Sequence, residues 1–207
     1  AGLPGKAAPW RVAEVRPEGR GRTIVVRKPV PQSVISFAAE GLKRSDPDFY
    51  ALTVMNHILG GGASSSRLYT EVREKRGLAY SVYSYINPFE KGPLYMGQVA
   101  TENGRVKESI DIIRAEWQRM AGGDVGEDEV KSAKTYLTGS YALRFASASD
   151  IARMLVNTQI DGNGPDYFDK RNGYIDAVTL ADVKRVAARL LKVDKLTFFV
   201  VGNPAGL

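Results

Sequence analysis

The sequence predicts one α+β domain, and three observations lead to this fold class. Strand patterns and helix patterns occur in pairs along the chain, as in folds that place helices against a sheet. Strand patterns also occur near both ends of the chain, which indicates that strands from both ends belong to one sheet. The 207 residues, 43% of them hydrophobic, are enough for one well-buried core.

The first predicted elements are two strands and a helix. Residues 23–27 are rich in β-branched side chains, and residues 33–38 form a second, more apolar strand pattern. Asp46 then has the character of a helix N-cap, with Pro47 at the first helical position. We expect this helix to end at the glycines of residues 60–62.

A second helix and two further strands follow. Serines at 64–66 can cap the helix, and Gly77 can close it. Residues 78–85 and 93–99 predict two strands joined by a turn at 90–92.

Helices dominate the rest of the chain. Their patterns cover residues 106–120, 127–145, 149–160 and 165–175. Thr179 and Asp182 then form the pattern of a capping box that opens a last helix. Residues 195–202 predict the closing strand.

The composition excludes several classes of functional site. The chain has no cysteine and one histidine, His57, so it has no disulfide, thiol nucleophile or thiolate metal site. A zinc site built from two or three imidazoles cannot come from this chain alone. His57 precedes a glycine stop, where a histidine can bond terminal helix carbonyls, and it has no evident catalytic partner. No apolar run approaches the ~20 residues that span a bilayer.

The excess positive charge is concentrated near the start of the chain. Residues 1–30 contain seven basic and two acidic residues, whereas the rest of the chain contains 22 and 21. We therefore expect residues 1–20 to form a flexible basic arm or linker, and residues 21–207 to form the domain. The arm could contact nucleic acid, but the nearly neutral body argues against it, and no nucleic-acid partner is expected.

One segment contains a candidate chemical pair, Arg73 and Tyr80. Arg73 is placed in the last turn of the second helix and Tyr80 at the start of the next strand, with a glycine-closed reversal between them. Both side chains can donate hydrogen bonds to a peptide carbonyl, or to an oxyanion forming on it. The alternative is structural: an exposed arginine at a helix end and a half-buried strand tyrosine.

A family resemblance favours the chemical interpretation. Its motifs are Asp46-Pro47-Asp48, Leu59-Gly60-Gly61-Gly62, Ser66-Arg67-Leu68, Arg73-Glu74-Lys75-Arg76-Gly77-Leu78-Ala79-Tyr80, Glu129, Ala133-Lys134, Leu137-Thr138-Gly139, Val178-Thr179, Asp182-Val183 and Val200-Val201-Gly202. With these motifs the sequence resembles the insulinase/pitrilysin family of zinc metallopeptidases. The resemblance is specifically to the C-terminal, zinc-free half of short bacterial members and of mitochondrial processing peptidases, and it covers nearly the whole chain after residue 20.

The resemblance implies a fold, a mechanism and partners. Each half of such a peptidase is an αβ domain with a mostly antiparallel sheet packed against helices, and two halves close around an unfolded peptide substrate. The zinc half carries the motif His-x-x-Glu-His, which this sequence lacks. Arg73 and Tyr80 match the two residues that the zinc-free half directs at the substrate carbonyl. The chain is thus expected to bind no metal or cofactor itself, and to act only with a zinc-bearing homologous domain or subunit.

The resemblance also leaves a second function open. Core subunits of the respiratory cytochrome complex have this fold without catalysis, so a catalytically silent structural or assembly domain is the alternative. Bacterial relatives are often exported, which favours a periplasmic location. The chain starts without Met, and we expect it to be a piece of a longer protein.

Overall fold

Five strands form one mixed sheet in the computed structural model, which describes residues 11–207. The strands are β1 (Thr23–Arg27), β2 (Gln32–Glu40), β3 (Ala79–Asn87), β4 (Leu94–Glu102) and β5 (Thr197–Gly202). Their spatial order is β1-β5-β2-β4-β3; β1 and β5 pair in parallel, and the other neighbours are antiparallel. The last strand therefore lies between the first two. As predicted, strands from the early and late parts of the chain belong to one sheet.

Helices connect the strands. They are α1 (Phe49–Asn56), α2 (Arg67–Tyr69), α3 (Val106–Ala121), α4 (Glu127–Gly139), α5 (Ala148–Ile160), α6 (Tyr167–Asp176) and α7 (Leu180–Leu190). Two of them continue into π-helical turns, α1 through His57–Gly61 and α2 through Thr70–Glu74, and α4 continues into a 3₁₀ segment, Ser140–Phe145. Within the described part of the chain, no helix combines the length and apolar character needed to cross a membrane.

The α+β fold class is confirmed, and the differences from the predicted elements lie at their ends. The predicted helix over 127–145 is α-helical only to Gly139, a residue of low helix propensity, and then tightens into the 3₁₀ segment. Asp46 is not the N-cap of α1, because that helix begins at Phe49. The Asp46 carboxylate instead accepts the backbone N–H of Asp48 at 2.9 Å, so it caps the turn before the helix.

The core lies between the helices and one face of the sheet. Trp117 of α3 is fully buried; its ring packs edge-on against Phe37 at 6.0 Å and stacks on Tyr95 at 5.0 Å. The strand register brings exposed apolar side chains together on the opposite side of the sheet, called here the open face. They are Ile24, Val26, Val34, Phe199 and Val201.

Residues 11–22, which precede β1, contact the domain without forming regular secondary structure. The backbone N–H of Val15 donates to the carbonyl of Lys91 at 2.6 Å, and Arg16 pairs with Glu40 at 3.0 Å. The first half of the predicted arm, residues 1–10, lies outside the described residues. A domain boundary at residue 20 therefore stays a prediction.

Candidate functional site

Arg73 lies in the π-helical turn that follows α2, and a glycine ends that turn. The N–H of Lys75 donates to the carbonyl five residues earlier at 3.0 Å, which makes the turn wider than an α-helical one. Gly77 has φ of +58°, and its N–H donates to the Arg73 carbonyl at 2.9 Å. The N–H of Leu78 reaches back to Val72 at 2.9 Å, which completes a helix-ending motif that favours glycine. The chain thus reverses directly after Arg73, as the glycine predicted.

Tyr80 lies in a β-bulge at the start of β3. The register shifts between Ala79 and Val82, so Tyr80 and Ser81 together oppose a single residue of β4, Ala100. A bulge of this kind redirects side chains relative to the regular alternation of a strand. Tyr80 is 82% exposed.

The structure brings Arg73 and Tyr80 into contact. The guanidinium carbon of Arg73 lies 4.7 Å from the centroid of the Tyr80 ring and 4.9 Å from that of Tyr69, both within cation–π distance. Arg73 Nη1 also donates to the Tyr69 hydroxyl. Sequence reasoning missed Tyr69, although its position four residues before Arg73 on one helix face could have identified it.

The Arg73 charge has no carboxylate partner among the described residues. The neighbouring carboxylate, Glu71, is bound instead by Lys75 and Arg76, each at 2.6 Å. Hydrogen bonds from Lys75 and then Arg76 hold the pKa of Glu71 below its usual range. Because Lys75 and Arg76 already balance the charge of Glu71, Arg73 is not paired with that carboxylate. Its guanidinium can therefore donate to an incoming carbonyl or oxyanion.

Two other arginines hold the Arg73 helix and turn in place. Arg105 donates to the carbonyls of Arg76 and Gly77, which follow the π-helical turn, at 3.0 and 3.2 Å. Arg67 of α2 binds both carboxylate oxygens of Glu129 at 2.7 Å, and Glu129 also accepts the N–H of Gly126 at 3.1 Å. The pair joins two separate family motifs, and it ties the segment that carries Arg73 to α4.

The residues described by the structure do not fit a zinc site. His57 is buried, and its ring stacks on Tyr136 at 4.9 Å. Burial lowers the pKa of His57, so the ring is a neutral packing element. Across residues 11–207, no three side chains of His, Asp or Glu come together to hold a metal ion.

Comparisons with known proteins give a consistent result. Residues 1–137 match the family model described as the peptidase M16 inactive domain. An uncharacterized zinc protease of Streptomyces coelicolor is 33% identical over 171 residues, which cover 83% of this chain and 37% of that protein. The probable mitochondrial-processing peptidase subunit beta of Schizosaccharomyces pombe is 32% identical over 190 residues, covering 86% and 40%.

A solved structure gives the same result for the fold. It is that of a peptidase M16 inactive domain from Pseudomonas fluorescens, and it matches with a TM-score of 0.85 at 28% identity. The match covers 98% of this chain and 48% of that one. The chain therefore spans less than half the length of these three relatives.

Proposed function

Because the chain belongs to the peptidase M16 family, the insulinase/pitrilysin family that its motifs predict, we propose that it is the zinc-free lobe of a peptide-hydrolysing enzyme. In this role it closes over a peptide together with a zinc-bearing homologous domain or subunit. Arg73 and Tyr80 donate to the carbonyl of the bond to be cleaved. Hydrolysis needs the other lobe, since the residues that the structure describes include no set that fits a zinc site.

The contact between Arg73 and an exposed Tyr80 is the observation that carries this proposal. A carbonyl under attack gains negative charge on its oxygen, and both side chains offer hydrogen-bond donors to that oxygen. One such donor is worth about 3 kcal/mol when water is excluded. Tyr69 positions the guanidinium by accepting from Nη1, which leaves the other N–H groups of Arg73 for the substrate.

The open face of the sheet supports a role that depends on a partner. Ile24, Val26, Val34, Phe199 and Val201 are all more than a third exposed, although they are large and apolar. A contiguous apolar surface of this kind is typical of an interaction site. Closure of a second lobe would remove water from around Arg73 and Tyr80. Their hydrogen bonds to a developing oxyanion would then be stronger.

The substitution Tyr80→Phe in the complete enzyme tests the proposal. It removes one donor while it keeps the ring that contacts Arg73, so we expect the turnover number to fall about 100-fold and KM to change little. The measurement is steady-state cleavage of a peptide.

Tyr83→Phe is the matched control for this experiment. It also removes a tyrosine hydroxyl from β3, but the Tyr83 hydroxyl donates to Gln98 at 2.7 Å. We expect this variant to keep a turnover number near that of the parent. Equal turnover numbers for the two variants would contradict the role of Tyr80, and they would favour a structural domain instead.

A further inference from the structure

A second group of charged side chains surrounds a cavity of about 410 Å³. The cavity lies between α1, the 3₁₀ segment after α4, and helices α5 and α6. Neither Arg73 nor Tyr80 lines it. Three arginines line it, Arg44, Arg144 and Arg171, against one carboxylate, Asp161. Its volume falls in the range of small-molecule sites.

Arg171 is a buried cation without a carboxylate partner in the described part of the chain. Its residue surface is only 8% exposed. Nη1 donates to the Leu137 carbonyl at 2.7 Å and to the Asn172 side-chain oxygen at 3.0 Å, and the guanidinium carbon lies 4.4 Å from the Tyr141 ring centroid. These partners are neutral, so they satisfy hydrogen bonds without cancelling the charge. Buried charges are otherwise found paired, which leaves room here for an anion from outside.

The other two arginines leave the cavity strongly positive. Arg44 lies 3.7 Å from Asp161, and its guanidinium packs over the rings of Phe49 at 4.5 Å and Tyr167 at 5.2 Å. Arg144 is exposed at the rim and forms no ion pair with any described residue. Because Asp161 can balance only one of the three charges, about two positive charges remain around an aromatic-walled cavity.

We propose that this cavity binds a small organic anion, with a phosphate or carboxylate group held by Arg144 and Arg171. Guanidinium groups match the geometry of both oxyanions and bind them through paired N–H groups. The apolar part of the ligand lies against the aromatic rings of Phe49, Tyr141 and Tyr167. The neutral ring of His57 also lines the cavity and adds no charge.

Calorimetric titration of the 207-residue chain with phenyl phosphate and with benzoate tests the proposal and separates the two anion types. We expect saturable, one-site binding of at least one anion, and no binding of benzyl alcohol, which has the ring without the charge. Arg144→Gln removes an exposed side chain that forms no ion pair with the residues the structure describes. It should weaken anion binding about tenfold, because one charge-assisted contact is lost.

Two further variants keep the test decisive. Arg153→Gln changes another exposed arginine, one that lies 3.6 Å from Asp150 outside the cavity, and it should bind the anion as the parent does. Arg171→Met should abolish binding, with its thermal unfolding transition measured alongside to verify the fold. Absence of binding by both anions to the parent, equal binding of benzyl alcohol, or unchanged affinity in Arg144→Gln or in folded Arg171→Met would overturn the proposal.

Discussion

The substitution Glu129→Gln removes one acceptor from the pair that joins α2 to α4. In the parent, both carboxylate oxygens accept from Arg67 at 2.7 Å, and one of them also accepts the N–H of Gly126. Glutamine keeps the shape of the side chain, but its amide nitrogen cannot accept. The Arg67 side chain, only 14% exposed, then loses its counter-charge.

The expected cost follows from how deeply the pair is buried. A hydrogen bond to a charged group contributes about 1.5–3 kcal/mol, and breaking a fully buried ion pair costs about 3–5 kcal/mol. The Glu129 side chain is 38% exposed, so water screens part of this effect. We therefore expect the free energy of unfolding to fall by about 2 kcal/mol, which lowers Tm by about 4–8 °C in a domain of this size.

Urea denaturation followed by circular dichroism measures this change. Glu127→Gln is the matched control, because it makes the same change in the same turn of α4 at an exposed carboxylate without an ion pair among the described residues. Its effect should stay within about 0.5 kcal/mol. Equal free energies of unfolding for the two variants would refute the reasoning.

The Arg67–Glu129 pair also predicts a pH dependence. Burial opposes ionisation of Glu129, but hydrogen bonds from Arg67 and the Gly126 N–H outweigh it and hold the pKa of Glu129 below its usual 4.5. A group whose pKa is lower in the folded state contributes fully above its unfolded pKa, and that contribution is lost as the pH falls through the folded pKa. Below about pH 4.5 the parent should therefore lose stability more steeply than Glu129→Gln.

Two more substitutions test individual elements of the fold. Thr179→Ala removes the hydroxyl that accepts the Asp182 N–H at 3.1 Å, so it should cost about 1 kcal/mol in urea denaturation. It should also raise the pKa of Asp182 from about 2, since the Thr179 hydroxyl is the main group that lowers it; an unchanged NMR titration would contradict this. Gly97→Ala places a Cβ against the ring of Phe37 and should cost about 1–3 kcal/mol by overpacking. Gly104→Ala, which meets nothing within 4 Å, is its control, and equal effects of the two alanines would contradict the packing argument.

Local sequence signals were sufficient to predict most elements of the fold. The Thr179–Asp182 capping box forms as its spacing predicts, and Gly77 adopts the positive φ that closes the second helix. These features depend on residues a few positions apart, which is the range over which propensities and caps act. The closeness of Arg73 and Tyr80 could be predicted for the same reason, because one short reversal separates them.

The remaining features arise from contacts between distant parts of the chain. Arg67 and Glu129 are 62 positions apart, and no local pattern pairs them. The bulge that exposes Tyr80 comes from the register of β3 on β4, and register is set by the packing of the whole sheet. Likewise, Arg44 and Arg171 meet at one cavity only because α6 packs near α1.

Peptide cleavage by the reassembled enzyme is the most direct measurement of the function proposed for this chain. The zinc-bearing half alone, this chain alone and an equimolar mixture would be assayed on one fluorogenic peptide, with complex formation measured separately. We predict that the mixture cleaves the peptide well above either half, and that its turnover number falls about 100-fold when the chain carries Tyr80→Phe. A mixture that forms the complex but cleaves no faster than the zinc-bearing half alone would contradict the account.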